Sequence, residues 1–336
     1  MGTADPMENI LLIRLKSIGD ILFTLPAVHV IRENFPEARL HFLVSRENAP
    51  LLRGFAEIDE ILPLDRAIYR SGNLLAAAAS TGKLLRILRQ KKFSLAIDFQ
   101  GYGETELLSW WSGAPRRWGC VYNRSRGWLY TRGGWRDHHL QIADQNLSLL
   151  RQSGLRVGEI RNQYVLPPDA LLAAQKVFAA NHQDPAKPVL YLQPFTSSPH
   201  KNWPMENYMA LAFYWRSRGV QVIFGGGPAE QAALEPARQL GFVTTAGVPL
   251  MTSAGIVRLS TVVVGGITGL LHLAVAMQKR VVMLVGYPAC EPGFPYQHHD
   301  WAVTSPSGGN VSEIQTSAVI EASARAFNEQ AGGGSC

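Results

Sequence analysis

The chain has 336 residues, 46% hydrophobic and 17% charged, with a formal net charge of +6. That length suits about two ordinary domains, and the apolar content excludes an intrinsically disordered chain. The charge is low for a nucleic-acid binder but suits an anionic ligand or an anionic membrane surface.

The N-terminus, MGTADPMENI, has no basic segment before an apolar core, so no secretory signal is expected. No window reaches the ~20 apolar residues of a membrane-spanning helix, so any membrane association is expected to be peripheral. Cys120, Cys290 and Cys336 are scattered and odd in number. They read as reduced thiols of a cytoplasmic protein, not as a metal set.

Strand and helix patterns alternate from the start. ILLIRL (10–15) is a buried strand, and ILFTLPAVHVIRENF (21–35) a helix after a Gly-Asp turn. RLHFLVS (39–45) and EIDEILPLD (57–65) supply two more strands. LLAAAASTGKLLRILRQKK (74–92) is a helix and FSLAIDF (93–99) a strand. The rhythm breaks at PRRWGCVYNRSRGWLYTRGGWRDHH (115–139), rich in Arg, Trp and Gly. A helix, LQIADQNLSLLRQSG (140–154), follows, and the Pro-containing YVLPPDA (164–170) marks the domain boundary.

The second half resumes the alternation. Strands are expected at 188–194, 220–226, 260–266 and 280–286, with a short one at WAVTSP (301–306). Helices are expected over 205–219, beside Pro204, over 228–241, and over the stretch carrying His272. A terminal helix over 312–330, with Ser312 as its N-cap, can pack back on the N-terminal domain. These patterns predict an α/β protein of two doubly wound domains facing a cleft, 7–165 and 166–311. Ligands of such sheets bind beyond the carboxyl ends of the strands.

Four stretches stand at those ends. In RLKSIGDILFTLPA (14–27), Asp20 opens a helix, where it is either a cap or a carboxylate able to take a proton from a hydroxyl. In QPFTSSPHKNWP (193–204), Thr196, Ser197 and Ser198 offer hydroxyls and Lys201 a point charge. That grouping suits phosphate oxygens, though an exposed polar loop looks the same. GGGPAEQ (225–231) lets backbone approach a ligand and carries Glu230, but it is neither GxGxxG nor a Walker sequence. In VVVGGITGLLHLAVAM (262–277), Thr268 and Gly269 open a helix whose N–H groups suit an anion, with His272 one turn on. The arginines of 115–139 can bind phosphate or carboxylate, and no nucleic-acid signature accompanies them.

These four stretches, in this order, resemble the ADP-heptose:lipopolysaccharide heptosyltransferases, glycosyltransferase family nine, from about Met7 to the terminal helix. The resemblance implies a GT-B fold of two Rossmann-like domains, acceptor on the first and nucleotide-sugar on the second, and inversion by a single displacement. It implies Asp20 as general base and Lys201 as the charge that steadies the leaving diphosphate. It puts Thr196, Ser197, Thr268, Gly269 and His272 on the diphosphate and sugar, and Glu230 on the nucleoside. No metal or cofactor is required, the nucleotide-sugar being a substrate. Lys16, Arg116, Arg117, Arg124, Arg126, Arg132 and Arg136 would meet a phosphorylated lipid A–Kdo core at the cytoplasmic face of the inner membrane. No nucleic-acid partner is implied.

One position departs from the family. Ile267 stands where the family usually has aspartate, placed to hold hydroxyls of the donor sugar, and isoleucine accepts no hydrogen bond. The readings are an altered donor within the same fold, or a weakened or inactive nucleotide-binding homologue.

Overall fold

The apolar runs become strands in a computed structural model that describes residues 8–70, 72–121, 124–135, 137, 139–286 and 293–332. The chain divides into two units, Met1–Asn162 and Gln163–Cys336. Arg136, Cys290, Cys336 and Met7 lie outside the described residues, while Cys120 is buried in a strand of the first unit.

The first unit runs β1 (Asn9–Ile13), α1 (Ile18–Leu22), α2 (Leu25–Asn34), β2 (Arg39–Ser45), β3 (Glu60–Leu64), α3 (Ala67–Arg70), α4 (Leu74–Gln90) and β4 (Leu95–Asp98). It continues with α5 (Glu104–Trp111), β5 (Arg116–Val121), β6 (Arg132–Trp135) and α6 (Ile142–Gln152). Among the described residues its parallel sheet has the order β3-β2-β1-β4-β5-β6. The order reverses between β1 and β4, which opens a crevice at their carboxyl ends. Every residue of β1 from Ile10 to Ile13 is fully buried, as a central strand covered on both faces requires.

The second unit runs α7 (Pro168–Ala180), β7 (Val189–Gln193), α8 (Met205–Arg216), β8 (Gln221–Phe224), α9 (Glu235–Gln239), β9 (Val243–Thr244) and α10 (Leu250–Leu259). Then come β10 (Val262–Gly266), α11 (Gly269–Ala276), β11 (Val281–Val285), β12 (Ala302–Thr304) and α12 (Thr316–Gly332). Its parallel sheet repeats the plan, β12-β11-β10-β7-β8-β9, with the reversal between β10 and β7. One core joins β7, β8, β10 and β11 to α8 and α12 through Trp203, Tyr208, Leu211, Phe224, Val319 and Ala326. α12 packs on α8 and on β10, β11 and β12 of this unit.

Three expectations are corrected. The helix expected over 21–35 is two, because Pro26, in the first turn of α2, cannot continue a preceding helix. The one expected over 228–241 is two short 3-10 turns and α9, with Pro236 in the first turn of α9. Ser312 caps nothing: Asn310 and Glu313 form a capping box on the turn Val311–Glu313, and α12 starts at Thr316. In the Arg-rich stretch the alternation does break, a 3-10 segment standing between β5 and β6, and both of these strands extend the sheet.

Candidate functional site

In the first unit the crevice is built around one buried guanidinium. Arg14 follows β1 directly and is 2% exposed. It donates to Phe99 O, just beyond β4, at 2.6 Å and to Lys16 O at 3.0 Å. Its other terminal nitrogen lies 2.8 Å from Asp20 Oδ2. That oxygen also accepts from the Ser17 backbone N–H and hydroxyl, both at 3.1 Å, in a capping box that opens α1. Gln100 holds the same loop from β4, its Oε1 accepting from Leu15 N–H at 3.2 Å. Among the described residues, every hydrogen bond of Asp20 goes to Oδ2 and none to Oδ1.

The electrostatics follow from this geometry. Burial pushes the Asp20 carboxyl up, but the Arg14 guanidinium and the Ser17 donors outweigh burial and hold it below its ordinary value. The group is therefore ionised at neutral pH. Cap and charged carboxylate are one residue, so the two readings of Asp20 are not exclusive. The Arg14 partnership was missed in the sequence. Its signal is an arginine embedded in the apolar run ILLIRL, which burial obliges to find an anion.

The basic residues sort by sheet edge. Lys16 is exposed beside Asp20. The Arg124 backbone begins a 3-10 segment, Arg124–Leu129, that leaves the carboxyl end of β5. Arg126 in it pairs with the buried Glu106 at 2.9 Å. Beside this segment the exposed rings of Trp110 and Trp128 meet edge to face, 6.5 Å between centroids. Arg116, Arg117 and Arg132 instead open β5 and β6 at the opposite edge, and the structure does not bring them to Asp20. Their guanidinium groups tie down neighbouring chain: Arg116 to Glu8 at 2.8 Å, Arg117 to Leu129 O and Ala114 O, Arg132 to Ser153 O.

In the second unit the loops after β7 and β10 meet at the reversal. Gly266 ends β10, and a Cβ there would stand 2.7 Å from Thr196 Cγ2 and 3.2 Å from Lys201 O. Only glycine allows that approach. The loop after β7 is folded by Asn202, whose Oδ1 accepts from the Thr196 N–H at 2.8 Å and lies 2.9 Å from its hydroxyl. The Thr196 donors are thus turned into the loop, while Ser197 and Lys201 are exposed. Lys201 closes a 3-10 turn, Pro199–Lys201. Two residues on, Trp203 is buried, its indole N–H donating to Ile314 O at 2.8 Å. That anchor fixes the turn while leaving the Lys201 ammonium outside; among the described residues Lys201 forms no ion pair.

After β10, Thr268 caps α11, its hydroxyl accepting from Leu271 N–H at 3.3 Å, and Gly269 begins the helix. The first-turn N–H groups make this end electropositive. His272 is buried in the first turn. Glu230 folds back over the loop after β8, where a Cβ on Gly227 would come 2.6 Å from its Oε2. A pocket of about 470 Å³ lies at the carboxyl edge of β10 and β11, with Lys201, His200 and Ile267 in its lining. Thr196, Lys201, Ile267, Thr268 and Gly269 therefore share one edge of one sheet. Among the described residues no group of three or more His, Cys, Asp or Glu could hold a metal, and no helix is long and apolar enough to cross a membrane.

Known proteins show the same plan. The model of glycosyltransferase family 9 (heptosyltransferase) matches residues 81–317. Lipopolysaccharide heptosyltransferase 1 of Escherichia coli is 24% identical over 320 residues, 93% of this chain and 95% of that one. The crystal structure of a family 9 glycosyl transferase from Veillonella parvula superposes with a TM-score of 0.85 at 19% identity, covering 98% of this chain and all of that one. The E. coli heptosyltransferase WaaC with ADP superposes with a TM-score of 0.77 at 20% identity, covering 95% of this chain and 99% of that one. The fold is GT-B, with two Rossmann-like units.

Proposed function

Since the chain belongs to glycosyltransferase family 9 and is a glycosyltransferase, we propose that it transfers a heptosyl group from ADP-heptose to the phosphorylated inner core of lipopolysaccharide, with inversion. The carrying observation is Asp20, ionised and held by Oδ2 alone. In this reading Oδ1 takes the proton of the acceptor hydroxyl as its oxygen attacks the anomeric carbon. The bond from that carbon to the diphosphate breaks on the opposite side, and ADP leaves. A carboxylate held below its ordinary pKa is a weak base at rest. It suffices because the hydroxyl becomes acidic only as the new bond forms.

The second unit holds the donor. Ser197, Lys201 and the start of α11 at Thr268 and Gly269 meet the diphosphate. Lys201 offsets its growing charge without a metal. Thr196 shapes that loop, His272 stands behind it, and Glu230 meets the nucleoside. Lys16, Arg124, Arg126 and Arg136 receive phosphate of the acceptor. Arg116, Arg117 and Arg132 contribute to the positive field rather than to contact. The protein works at the cytoplasmic face of the inner membrane, bound peripherally. Exposed Trp128 and Trp110 beside Arg126 support that reading, since tryptophan and arginine suit a lipid–water interface.

Incubation with ADP-heptose and deacylated acceptor tests the assignment: ADP is released and the acceptor gains one heptose. A second reading, transfer of another nucleotide-sugar or weakened transfer, is favoured by Ile267 in the pocket lining. It predicts ADP release that appears or rises in Ile267→Asp. Silence from both versions with every nucleotide-sugar removes the transferase reading of this site.

A further inference from the structure

We propose that the pocket beside Lys201 receives the glycosyl group of the donor, and that it selects a sugar presenting a deoxy carbon or a methyl group, not a hydroxyl, to Ile267. The inference rests on the reading of the second unit as the nucleotide-sugar unit. It goes further by naming the class of sugar.

The pocket has the volume of a small-molecule site, about 470 Å³. Its aliphatic lining is Ile267, Leu284 and Val311, and its polar lining is His200, Lys201 and Asn310. The polar lining comes from other elements than the loop that carries Ile267. His200 and Lys201 belong to the turn after β7, where they suit an anion. The Asn310 Oδ1 is engaged in the capping box of the turn Val311–Glu313, which leaves its amide Nδ2 as a donor. Among the described residues no carboxylate lines the pocket. The nearby Glu313 spends both oxygens inside its loop, on Ser305, Ser307 and the Asn310 N–H.

Ile267 is also braced. A Cβ on Gly293 would lie 3.3 Å from both its Cδ1 and its Cγ2, so that backbone packs on the side chain. The isoleucine cannot swing away without losing this contact. A hydroxyl set against it gives up its water and gains no partner from that side chain, which is penalised, whereas C–H or methyl surface loses nothing. Shape and charge thus agree: the Lys201 ammonium for the diphosphate, and aliphatic surface for a hydroxyl-poor sugar.

Titration calorimetry on the full chain tests this with ADP, ADP-mannose and a set of ADP-mannose analogues each lacking one hydroxyl, including the methyl-bearing one. The expected result is that ADP binds and that at least one deoxy analogue binds roughly tenfold tighter than ADP-mannose, the factor that ~1.4 kcal/mol makes. In Ile267→Asp that preference disappears or reverses, and Ile267→Asn serves as the milder variant if the carboxylate disturbs the loop. If ADP binds and no deoxy analogue gains over ADP-mannose, the sugar selection is wrong and the nucleotide site stands. If ADP itself does not bind, the ADP-sugar reading fails and the selection among ADP-sugars falls with it.

Discussion

Replacing Asp20 with asparagine keeps the shape and removes the charge that Arg14 faces. Arg14 is 2% exposed, its nitrogen 2.8 Å from Oδ2, so the variant leaves a buried cation without its counter-ion. Breaking a fully buried pair costs about 3–5 kcal/mol. The Asp20 side chain is 24% exposed, and solvent screening brings the expected loss to about 2–3 kcal/mol. For a unit of this size that is a fall in Tm of about 4–12 °C. The pH dependence has a definite sign. The folded carboxyl lies below its ordinary 3.8, so its stabilisation is fully present above 3.8 and lost as pH falls through the lowered value. Scanning calorimetry of both proteins should therefore show a constant gap in Tm from about pH 7 to pH 5, narrowing below about pH 4. An asparagine variant that melts with the wild type at neutral pH would refute the reasoning, since Arg14 would then be compensated by another group.

The same pair governs activity. Transfer in Asp20→Asn falls by about 10²–10⁴-fold, the usual contribution of a positioned base, read as the rate of ADP release. In the wild type, kcat/KM should show no acid limb between about pH 5 and pH 7, because Asp20 is ionised throughout that range; a midpoint above 5 would assign the base to a different group. Gly266→Ala sets a methyl 2.7 Å from Thr196 Cγ2, and overpacking of this kind costs about 1–3 kcal/mol. The variant should bind ADP at least several-fold more weakly by calorimetry. Lys201→Ala should lose about 10²–10³-fold in transfer with Tm within about 1 °C of wild type, since the side chain is exposed and packs no core; a large fall in Tm would mean that the loss is structural.

The alternation of strands and helices was legible because both sheets are parallel and buried, which makes their central strands unbroken apolar runs. β5 and β6 were not. RRWGCV and RGGW carry arginines and glycines that mask the strand pattern. The glycines answer a tertiary demand: a Cβ on Gly119 would fall 2.3 Å from the Tyr130 ring. α7 and α10, also unread, pack on each other through small residues, with Gly255 close to Ala170 O and Ala174. In the site, the residue types just past each strand were legible because topology fixes where ligands bind. The arginines were sorted only by structure, since position along a strand decides which sheet edge a side chain occupies. Asn202, which folds the Thr196 loop, left no signal beyond its place before Trp-Pro.

Asp20 has a further consequence for how relatives of this chain are read. The residue closes the first turn of α1 and neutralises a buried arginine, so a descendant that abandoned transfer altogether would still be selected to keep it, simply to fold. Its presence in a sequence is thus poor testimony of activity, which rests on the Oδ1 that folding leaves unused. Lys201 is the better witness. It neutralises nothing within its own unit among the described residues and fills no core, so no demand of folding preserves it. In any set of such chains, loss of function should surface first at the exposed lysine, while the aspartate persists.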